Sequence, residues 1–277
     1  MKKIIATVLS AAVVFGFASC GKSSGNVVKI GVTGSVYEDL WEPARQSLKA
    51  QGIELQLVQF ADYVTPNNSL ANGEIDLNGF QHRIFFETDT KNHGYDIKII
   101  GNTFLTPLNV YSNKIKSIDE LKEGDVVAIP NDVTNGGRAI KVLESAGLVV
   151  LREGAGFNPT VNDIVENPKK IEIKELAANA IPSVLNDVTA AAINGNYALD
   201  FKIDPKTAIV TDTLSDKEYW NLIAARTSDL ADKEKVALFD KVVKAYQTEE
   251  TLKLYNEKFN GYYVKTGWEI DELAQYK

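Results

Sequence analysis

The chain has 277 residues and a formal net charge of −7, and this length is sufficient to bury a substantial hydrophobic core. The acidic balance argues against nucleic acid as a partner, because nucleic acids bind dense positive charge. A single cysteine excludes an internal disulfide. The two histidines, His82 and His93, do not have the spacing of a zinc site, so we expect no metal and no cofactor.

The amino terminus has the pattern of a bacterial lipoprotein signal. Two lysines precede an apolar run over residues 4–17, and Ala18-Ser19-Cys20 follows as a cleavage point. This arrangement resembles a lipobox, with Phe17 where leucine is usual. We predict that residues 1–19 are removed, that Cys20 is lipidated, and that residues 20–26 form a flexible tether to the membrane. Loss of the two lysines makes the net charge −9.

Short β-type runs then alternate with helical stretches, which is typical of an α/β sheet covered by helices on both faces. In the first part of the chain we predict strands at 27–32, 55–60 and 74–80. We predict helices at 37–48 and 81–92, and a short helix with Thr65 as N-cap and Pro66 at its first position. Ligands of such sheets lie beyond the carboxyl ends of the strands. Five residues fall at or just after these ends: Tyr63, Asn78, Phe80, Gln81 and His82.

An extended stretch at 97–111, interrupted by Pro107, is predicted to cross to a second lobe, since proline suits a connector better than a central strand. The alternation then resumes, with strands at 126–129, 148–151, 171–173 and 189–193 and helices near 160 and at 181–186. Segments 207–210 and 220–226 are predicted to be return crossovers, and helices at 232–246 and 249–259 to complete the first lobe. The predicted organisation is therefore lobe 1 at 27–111, lobe 2 at 112–208, and a return to lobe 1 at 209–277.

The segment at 126–140 joins a β-branched run to an amphipathic helix through a polar loop. Thr134 or Asn135 is the predicted N-cap, and Arg138 lies in the first turns of the helix. Unpaired amides at a helix start and a guanidinium suit an anion, most naturally a carboxylate. For such a segment in isolation, a surface arginine beside an ordinary cap is the more common arrangement.

Several segments occur in an order that resembles one protein family. They are Phe60 to Asn67 (FADYVTPN), Asn78 to His82 (NGFQH), the segment at 126–140, Glu166 to Lys170 (ENPKK), Ala192 to Ala198 (AINGNYA) and Tyr219 to Ile223 (YWNLI). Together, behind a lipobox, they resemble the methionine-binding lipoproteins of the bacterial methionine ABC importer, also called the NlpA lipoprotein family. The resemblance covers about residues 27–268.

This resemblance implies a two-lobed, type II solute-binding fold that closes on free methionine, with L-methionine as the expected isomer. It implies a monomer, lipid-anchored in the cell envelope, that delivers its ligand to an ABC permease and its ATPase. It also implies the ligand contacts: Arg138 for the carboxylate, Asn194 and Asn221 for the head group, Tyr63, Phe80 and His82 around the side chain, Asn131 as a further contact, and Phe85 where the family usually has tyrosine.

The chemistry of these residue types suits such a solute. Aromatic rings hold a thioether with roughly 0.3–1.5 kcal/mol per contact, and arginine pairs with a carboxylate through two donors. Two departures leave the ligand open to another small amino acid or a short peptide. Ile84-Phe85 replaces the usual Pro-Tyr, and the loop at 31–37 lacks the usual Pro-His. A surface adhesin is the competing function for a tethered binder.

Catalysis has little support in the sequence, and we predict that the protein is not an enzyme. Residues 21–25 match the G-x-S-x-G pattern of hydrolases, but they lack the preceding strand and following helix that the nucleophile requires. Gly154-Ala155-Gly156 begins like a dinucleotide fingerprint, yet Asn158-Pro159 follows where a glycine and a helix are needed.

Overall fold

The computed structural model describes residues 26–277. The predicted signal peptide, the predicted lipidation site Cys20 and nearly all of the predicted tether lie outside the described residues. Within this range, no helix has the length and apolar character needed to cross a bilayer. The same range contains no group of three or more His, Cys, Asp or Glu side chains placed to hold a metal ion.

Between residues 26 and 277 the strands lie in two main sheets and two small ones. Their bounds are β1 Asn26–Thr33, β2 Ile53–Phe60, β3 Leu77–Asn78, β4 Ile97–Asn102, β5 Phe104–Leu105, β6 Leu108–Tyr111, β7 Val126–Pro130, β8 Val150–Leu151, β9 Ile164–Glu166, β10 Glu172–Leu176, β11 Ala190–Asn194, β12 Leu222–Arg226 and β13 Val264–Lys265.

Seven α-helices accompany these strands in the described part of the chain. They are α1 Val36–Ala50, α2 Thr65–Ala71, α3 Arg83–His93, α4 Val133–Ser145, α5 Gly195–Asp200, α6 Lys233–Tyr246 and α7 Glu249–Glu257. Short 3-10 turns occur at Ile118–Glu120, Val161–Asp163, Ile181–Val184, Pro205–Thr207, Lys217–Tyr219 and Thr227–Ala231.

The first lobe is built on a five-stranded sheet in the order β2-β1-β3-β12-β4. β1 runs parallel to β2 and β3, whereas β12 runs antiparallel to β3 and β4. The apolar face of α1 is buried against this lobe, and the ring of Trp41 lies 4.4 Å from that of Tyr246 in α6. The predicted face of α1 is therefore the one that enters the core.

The second lobe is built on a four-stranded sheet in the order β10-β7-β11-β6. β7 is parallel to β10 and β11, and β6 is antiparallel to β11. α4 covers this sheet and buries Ala139, Ile140, Val142 and Leu143. Two α/β lobes with separate sheets confirm the predicted two-lobed fold.

Three predicted elements need correction. Segment 220–226 is not a return crossover, because Leu222–Arg226 forms strand β12 inside the first sheet. Residues 108–111 pair with β11 and so belong to the second lobe, which moves the outward crossing to residues 103–107. The strand predicted at 74–80 shortens to Leu77–Asn78.

The remaining differences concern short elements and caps. The helices predicted near 160 and at 181–186 are single 3-10 turns. Segment 207–210 makes only an isolated bridge between Val210 and Val110. Thr65 is the first residue of α2 and not its cap. The N-cap is Val64, which makes no capping bond through its side chain, and the Asp62 carboxylate accepts from the amides of Val64 and Thr65, at 2.8 and 2.9 Å.

Candidate functional site

A cavity lies between the two lobes and holds about 410 Å³ of space free of protein atoms, including solvent at its mouth. Its lining residues come from both lobes and from the crossovers. They are Tyr37, Tyr63, Phe80, Gln81, His82, Phe85, Thr106, Pro107, Leu108, Asn135, Arg138, Asn194, Gly195, Asn196 and Asn221. The carboxyl ends of strands from both sheets thus meet at one place, as expected for a sheet of this class.

Most of the ligand contacts expected from the sequence line this cavity. Asn131 does not. It is exposed, and its amide donates to the Leu176 carbonyl at 2.8 Å. Asn135, four residues further along, is buried and lines the cavity. Asn135 is thus the amide side chain of this segment that reaches the cavity, and it was considered from the sequence only as a helix cap.

Asp132 caps the amino terminus of α4. Its carboxylate accepts from the Asn135 amide at 2.9 Å and from the Thr134 hydroxyl at 3.1 Å. The expected cap at Thr134 or Asn135 was wrong, because an aspartate one position before the helix binds both residues. Burial raises the pKa of Asp132, although these hydrogen bonds act in the opposite direction. A Cβ at Gly136 would lie 2.7 Å from the Pro130 carbonyl oxygen, so glycine permits the close approach of α4 to β7.

A chain of hydrogen bonds joins the lobes through Asn135. The Asn135 side-chain nitrogen donates to Asp132, at 3.0 and 3.1 Å, which directs its oxygen into the cavity. That oxygen accepts from the Asn194 side-chain amide at 2.7 Å and lies 3.2 Å from His82 Nε2. Asn135 is therefore a fixed acceptor between a first-lobe imidazole and a second-lobe amide.

His82 is the N-cap of α3, and its Nδ1 accepts from the Phe85 amide at 3.2 Å. Because Nδ1 is an acceptor and the Asn135 oxygen faces Nε2, the neutral ring carries its proton on Nε2. Burial and, as a smaller cause, the neighbouring Arg138 cation lower the pKa of His82 to about 3. His82 is accordingly an uncharged donor at neutral pH.

Arg138 is almost entirely buried, with its side chain 3% exposed. Its Nη2 lies 2.6 Å from Asp212 Oδ2 and donates to the Thr106 carbonyl oxygen at 3.1 Å. The guanidinium carbon also lies 4.4 Å from the centre of the Tyr219 ring. Neither Asp212 nor Tyr219 was expected as a neighbour, since both are more than seventy residues away in the chain and no local pattern marks them.

Three buried polar atoms at this cavity have no hydrogen-bond partner among the described residues. They are Arg138 Nε, Asn194 Oδ1 and Thr106 Oγ1. A buried unpaired polar atom is costly, so these atoms suit a ligand that supplies the missing partners. Arg138 Nε can donate to a carboxylate and Asn194 Oδ1 can accept from an ammonium group. The polar end of the cavity therefore suits the head group of a free amino acid.

The other end of the cavity is aromatic. Tyr63 and Phe80 lie 6.0 Å apart in a stacked arrangement, and Phe85 lies edge-on to both, at 6.2 Å from Tyr63 and 6.0 Å from Phe80. Tyr197 approaches Tyr63 from the second lobe at 4.9 Å. Such a wall offers ring faces and edges to an apolar or thioether side chain.

A buried amide network supports this wall from behind. Gln81 Nε2 donates to Asn67 at 2.7 Å and to Asn78 at 3.0 Å, and the Asn67 amide donates to Gln81 and Asp89, both at 2.8 Å. Gln81 and Asn78 were noted from the sequence at strand ends. Their amides bind one another and hold the chain between Phe80 and His82 in position.

The lobes also touch directly beside the cavity. The Tyr63 hydroxyl donates to the Asn196 side-chain oxygen at 2.5 Å, and the Asn196 amide donates to the Thr33 carbonyl at 3.0 Å. Asn196 lies at the start of α5 in the Asn194-Gly195-Asn196 stretch, and sequence reasoning did not assign it a role. These contacts bind first-lobe residues to a second-lobe helix, so the structure describes a closed cleft.

Comparisons with known proteins agree with this geometry. A sequence model described as NlpA lipoprotein matches residues 28–267. A Vibrio cholerae protein named probable D-methionine-binding lipoprotein MetQ is 41% identical over 269 residues, covering 96% of this chain and 98% of the relative.

Two solved structures share the fold at high coverage. A nutrient-binding protein from Burkholderia cenocepacia, solved bound to methionine, has a TM-score of 0.81 and 38% identity, over 87% of this chain and 100% of the other. The substrate-binding protein of a methionine transporter from Streptococcus pneumoniae has a TM-score of 0.82 and 32% identity, over 87% and 96% of the two chains.

Proposed function

The chain belongs to the NlpA lipoprotein family, as the ordered segments in its sequence indicated, and on this premise we propose that it is the substrate-binding lipoprotein of an ABC importer that captures free methionine. Both solved relatives described above are named for methionine or for a methionine transporter. L-methionine is the expected principal ligand, and D-methionine is included in the test because the Vibrio cholerae relative is named for that isomer.

The observation that carries this proposal is a pair of atoms without a hydrogen-bond partner within residues 26–277, Arg138 Nε and Asn194 Oδ1, beside an aromatic wall. The ligand carboxylate would accept from Arg138, and its ammonium group would donate to Asn194. Asn221 is buried and lines the same cavity, where its side-chain amide would assist the head group. The thioether would rest against Tyr63, Phe80 and Phe85.

Closure of the two lobes gives the protein a means of capture. Ligand contacts come from both lobes, so the ligand favours the state in which both sets of contacts can form. Anchoring through a lipid on Cys20 would keep the loaded monomer near a membrane permease and its ATPase. In this proposal the protein binds and releases its ligand without a chemical step and is not an enzyme.

Calorimetry tests the proposal most directly. Protein beginning at Asn26 is unfolded and refolded to remove any copurified solute, then titrated with L-methionine, D-methionine and a panel of other amino acids and short peptides. We expect heat with methionine and little or none with amino acids that lack a long apolar side chain. No heat with any amino acid would exclude the proposed function, and mass spectrometry of a copurified small molecule checks the same point.

A further inference from the structure

Asp212 lies on the return path between the lobes, which runs from Val210, bridged to the second sheet, to β12 of the first sheet. Its carboxylate is fully buried against Arg138, with 0% side-chain exposure and an Oδ2 to Nη2 distance of 2.6 Å. A carboxylate already pairs with the cation proposed to bind the ligand carboxylate. With Arg138 as the carboxylate site of the proposed function, on which this role of Asp212 rests, the internal anion lies beside the bound ligand.

Backbone amides of the second lobe and of its own loop hold the Asp212 side chain in place. Its Oδ2 accepts from the Leu108 amide at 2.9 Å, just after the outward crossing, and its Oδ1 accepts from the Leu214 amide at 2.9 Å on the return path. Its own amide donates to the Asn109 side-chain oxygen at 2.9 Å. A side chain held by this many bonds cannot swing away when a ligand enters, so Arg138 keeps this partner.

Three titratable side chains near the pair are uncharged. Burial lowers the pKa of His82 to about 3 and raises the pKa of Tyr219 to about 12, so both are neutral at pH 7. The hydroxyl of Tyr262, also near the pair, is neutral because burial raises its pKa. Asp132 is engaged with the first turn of α4. Arg138 and Asp212 therefore form a pair with no net charge at the polar end of the cavity.

We propose that Asp212 is a specificity-determining residue that makes the site select zwitterions over solutes carrying a carboxylate alone. A zwitterion adds no net charge beside the Arg138–Asp212 pair, and its ammonium group offsets its own carboxylate. A carboxylate without an amino group adds an uncompensated negative charge close to Asp212. At the effective dielectric of partly buried sites, a unit charge a few ångströms away alters binding by about tenfold or more.

The test compares two probes, L-methionine and 4-(methylthio)butanoate, which is methionine without its amino group. Competition calorimetry measures, for wild type and for Asp212→Asn, the dissociation constant of 4-(methylthio)butanoate divided by that of L-methionine. We expect the ratio to fall by at least about tenfold in Asp212→Asn, because the carboxylate-only probe gains relative to methionine. Asp216→Asn removes the same charge from an exposed residue of the same path and should leave the ratio unchanged.

An unchanged ratio in Asp212→Asn, with both probes weakened equally, would overturn the inference. Absence of binding by wild type to L-methionine would instead reject the proposed function. Should Asp212→Asn fail to fold by circular dichroism, Asp212→Ser provides the same loss of charge with a hydroxyl acceptor. Failure of both to fold would assign Asp212 a purely structural role and overturn the specificity role.

Discussion

The Asp200 carboxylate of the second lobe caps the amino terminus of α1 in the first lobe at Ser35. It accepts from the Ser35 amide at 3.1 Å, from the Ser35 hydroxyl at 2.8 Å and from the Val36 amide at 2.9 Å. A negative charge at a helix start is also favoured by the helix dipole. This contact exists only while the lobes are together, so it stabilises the closed cleft without touching the ligand.

We therefore predict that Asp200→Asn weakens methionine binding by about five- to tenfold, since it removes about 1 kcal/mol of charge-assisted bonding from the closed state alone. Stopped-flow fluorescence should show the change mainly as faster ligand release. Asp187→Asn, at an exposed aspartate of the same lobe, is the matched control. Equal affinities for wild type and Asp200→Asn would show that this contact does not contribute to closure.

Gly34 offers a second means of testing the same contact. It has φ +95°, and a Cβ there would lie 2.0 Å from Asp200 Oδ2. Gly34→Ala should weaken methionine binding in the same direction as Asp200→Asn, because the added methyl group displaces the carboxylate from α1. In an Asp200→Ala background, Gly34→Ala should reduce methionine affinity by less than it does in wild type. An equal loss of affinity from Gly34→Ala in both backgrounds would show that the two substitutions do not act through the same contact.

Arg138 should affect stability as well as binding. Arg138→Met leaves Asp212 buried without its partner, and breaking such a pair destabilises a protein by about 3–5 kcal/mol. Arg138→Met/Asp212→Asn should recover part of that free energy of unfolding in denaturant titrations. Neither variant should bind methionine within about a hundredfold of wild type, because the charged donor is absent. Methionine binding by the double variant at wild-type affinity would reject Arg138 as the carboxylate site.

The hydroxyl of Tyr63 should contribute to methionine affinity in addition to the aromatic ring. Tyr63→Phe keeps the aromatic wall but removes the 2.5 Å bond to Asn196, so methionine affinity should fall by about threefold to tenfold. Tyr197→Phe is the matched control, since its hydroxyl also reaches the first lobe, at Ala61, but over 3.4 Å. Calorimetry on both variants checks the difference, and an equal effect of the two would assign the loss to general packing.

His82 should make stability depend on pH. The unfolded residue titrates near pH 6.5, whereas burial lowers the native pKa to about 3. The unfolded chain thus binds the extra proton between these values. The free energy of unfolding should be fully retained above about pH 6.5 and fall by up to about 1.4 kcal/mol per pH unit as the pH drops toward 3.

The variant His82→Gln isolates this effect. A glutamine can still donate to Asn135 and does not titrate, so the stability difference between wild type and variant should change with pH over this interval. Asp132, whose pKa burial raises, contributes in the opposite direction but is present in both proteins. Parallel profiles for wild type and His82→Gln would contradict a neutral buried imidazole.

Local patterns in the sequence predicted the parts of the fold that local forces determine. The spacing of Tyr37, Leu40, Trp41, Ala44 and Leu48 predicts a single buried helix face, and these five residues are buried in α1. The strand, loop and helix around Arg138 were predicted for the same reason. The cap was misassigned because Asp132, Thr134 and Asn135 are all good capping residues, and only the hydrogen bonds of the folded chain distinguish them.

The errors concern residues whose partners are distant in sequence. Leu222–Arg226 is too short to distinguish a strand from a connector, and its pairing with Leu77 and Ile97 is set by tertiary structure. Asp212 stands alone in a loop, so nothing in its surroundings marks it as the partner of Arg138. Asn196 follows a predicted contact by two residues, but its role depends on where Tyr63 lies when the lobes meet.

The position of β12 also has a consequence for the order in which the protein can be completed during synthesis. This strand separates β3 from β4 in the first sheet, so residues 77–102 cannot form a continuous sheet until residues 222–226 have been made. The second sheet needs only residues 108–194. Because translation proceeds from the amino terminus, the lobe that begins the chain is the last to be finished, and the nascent protein stays incompletely folded until most of it has been synthesised.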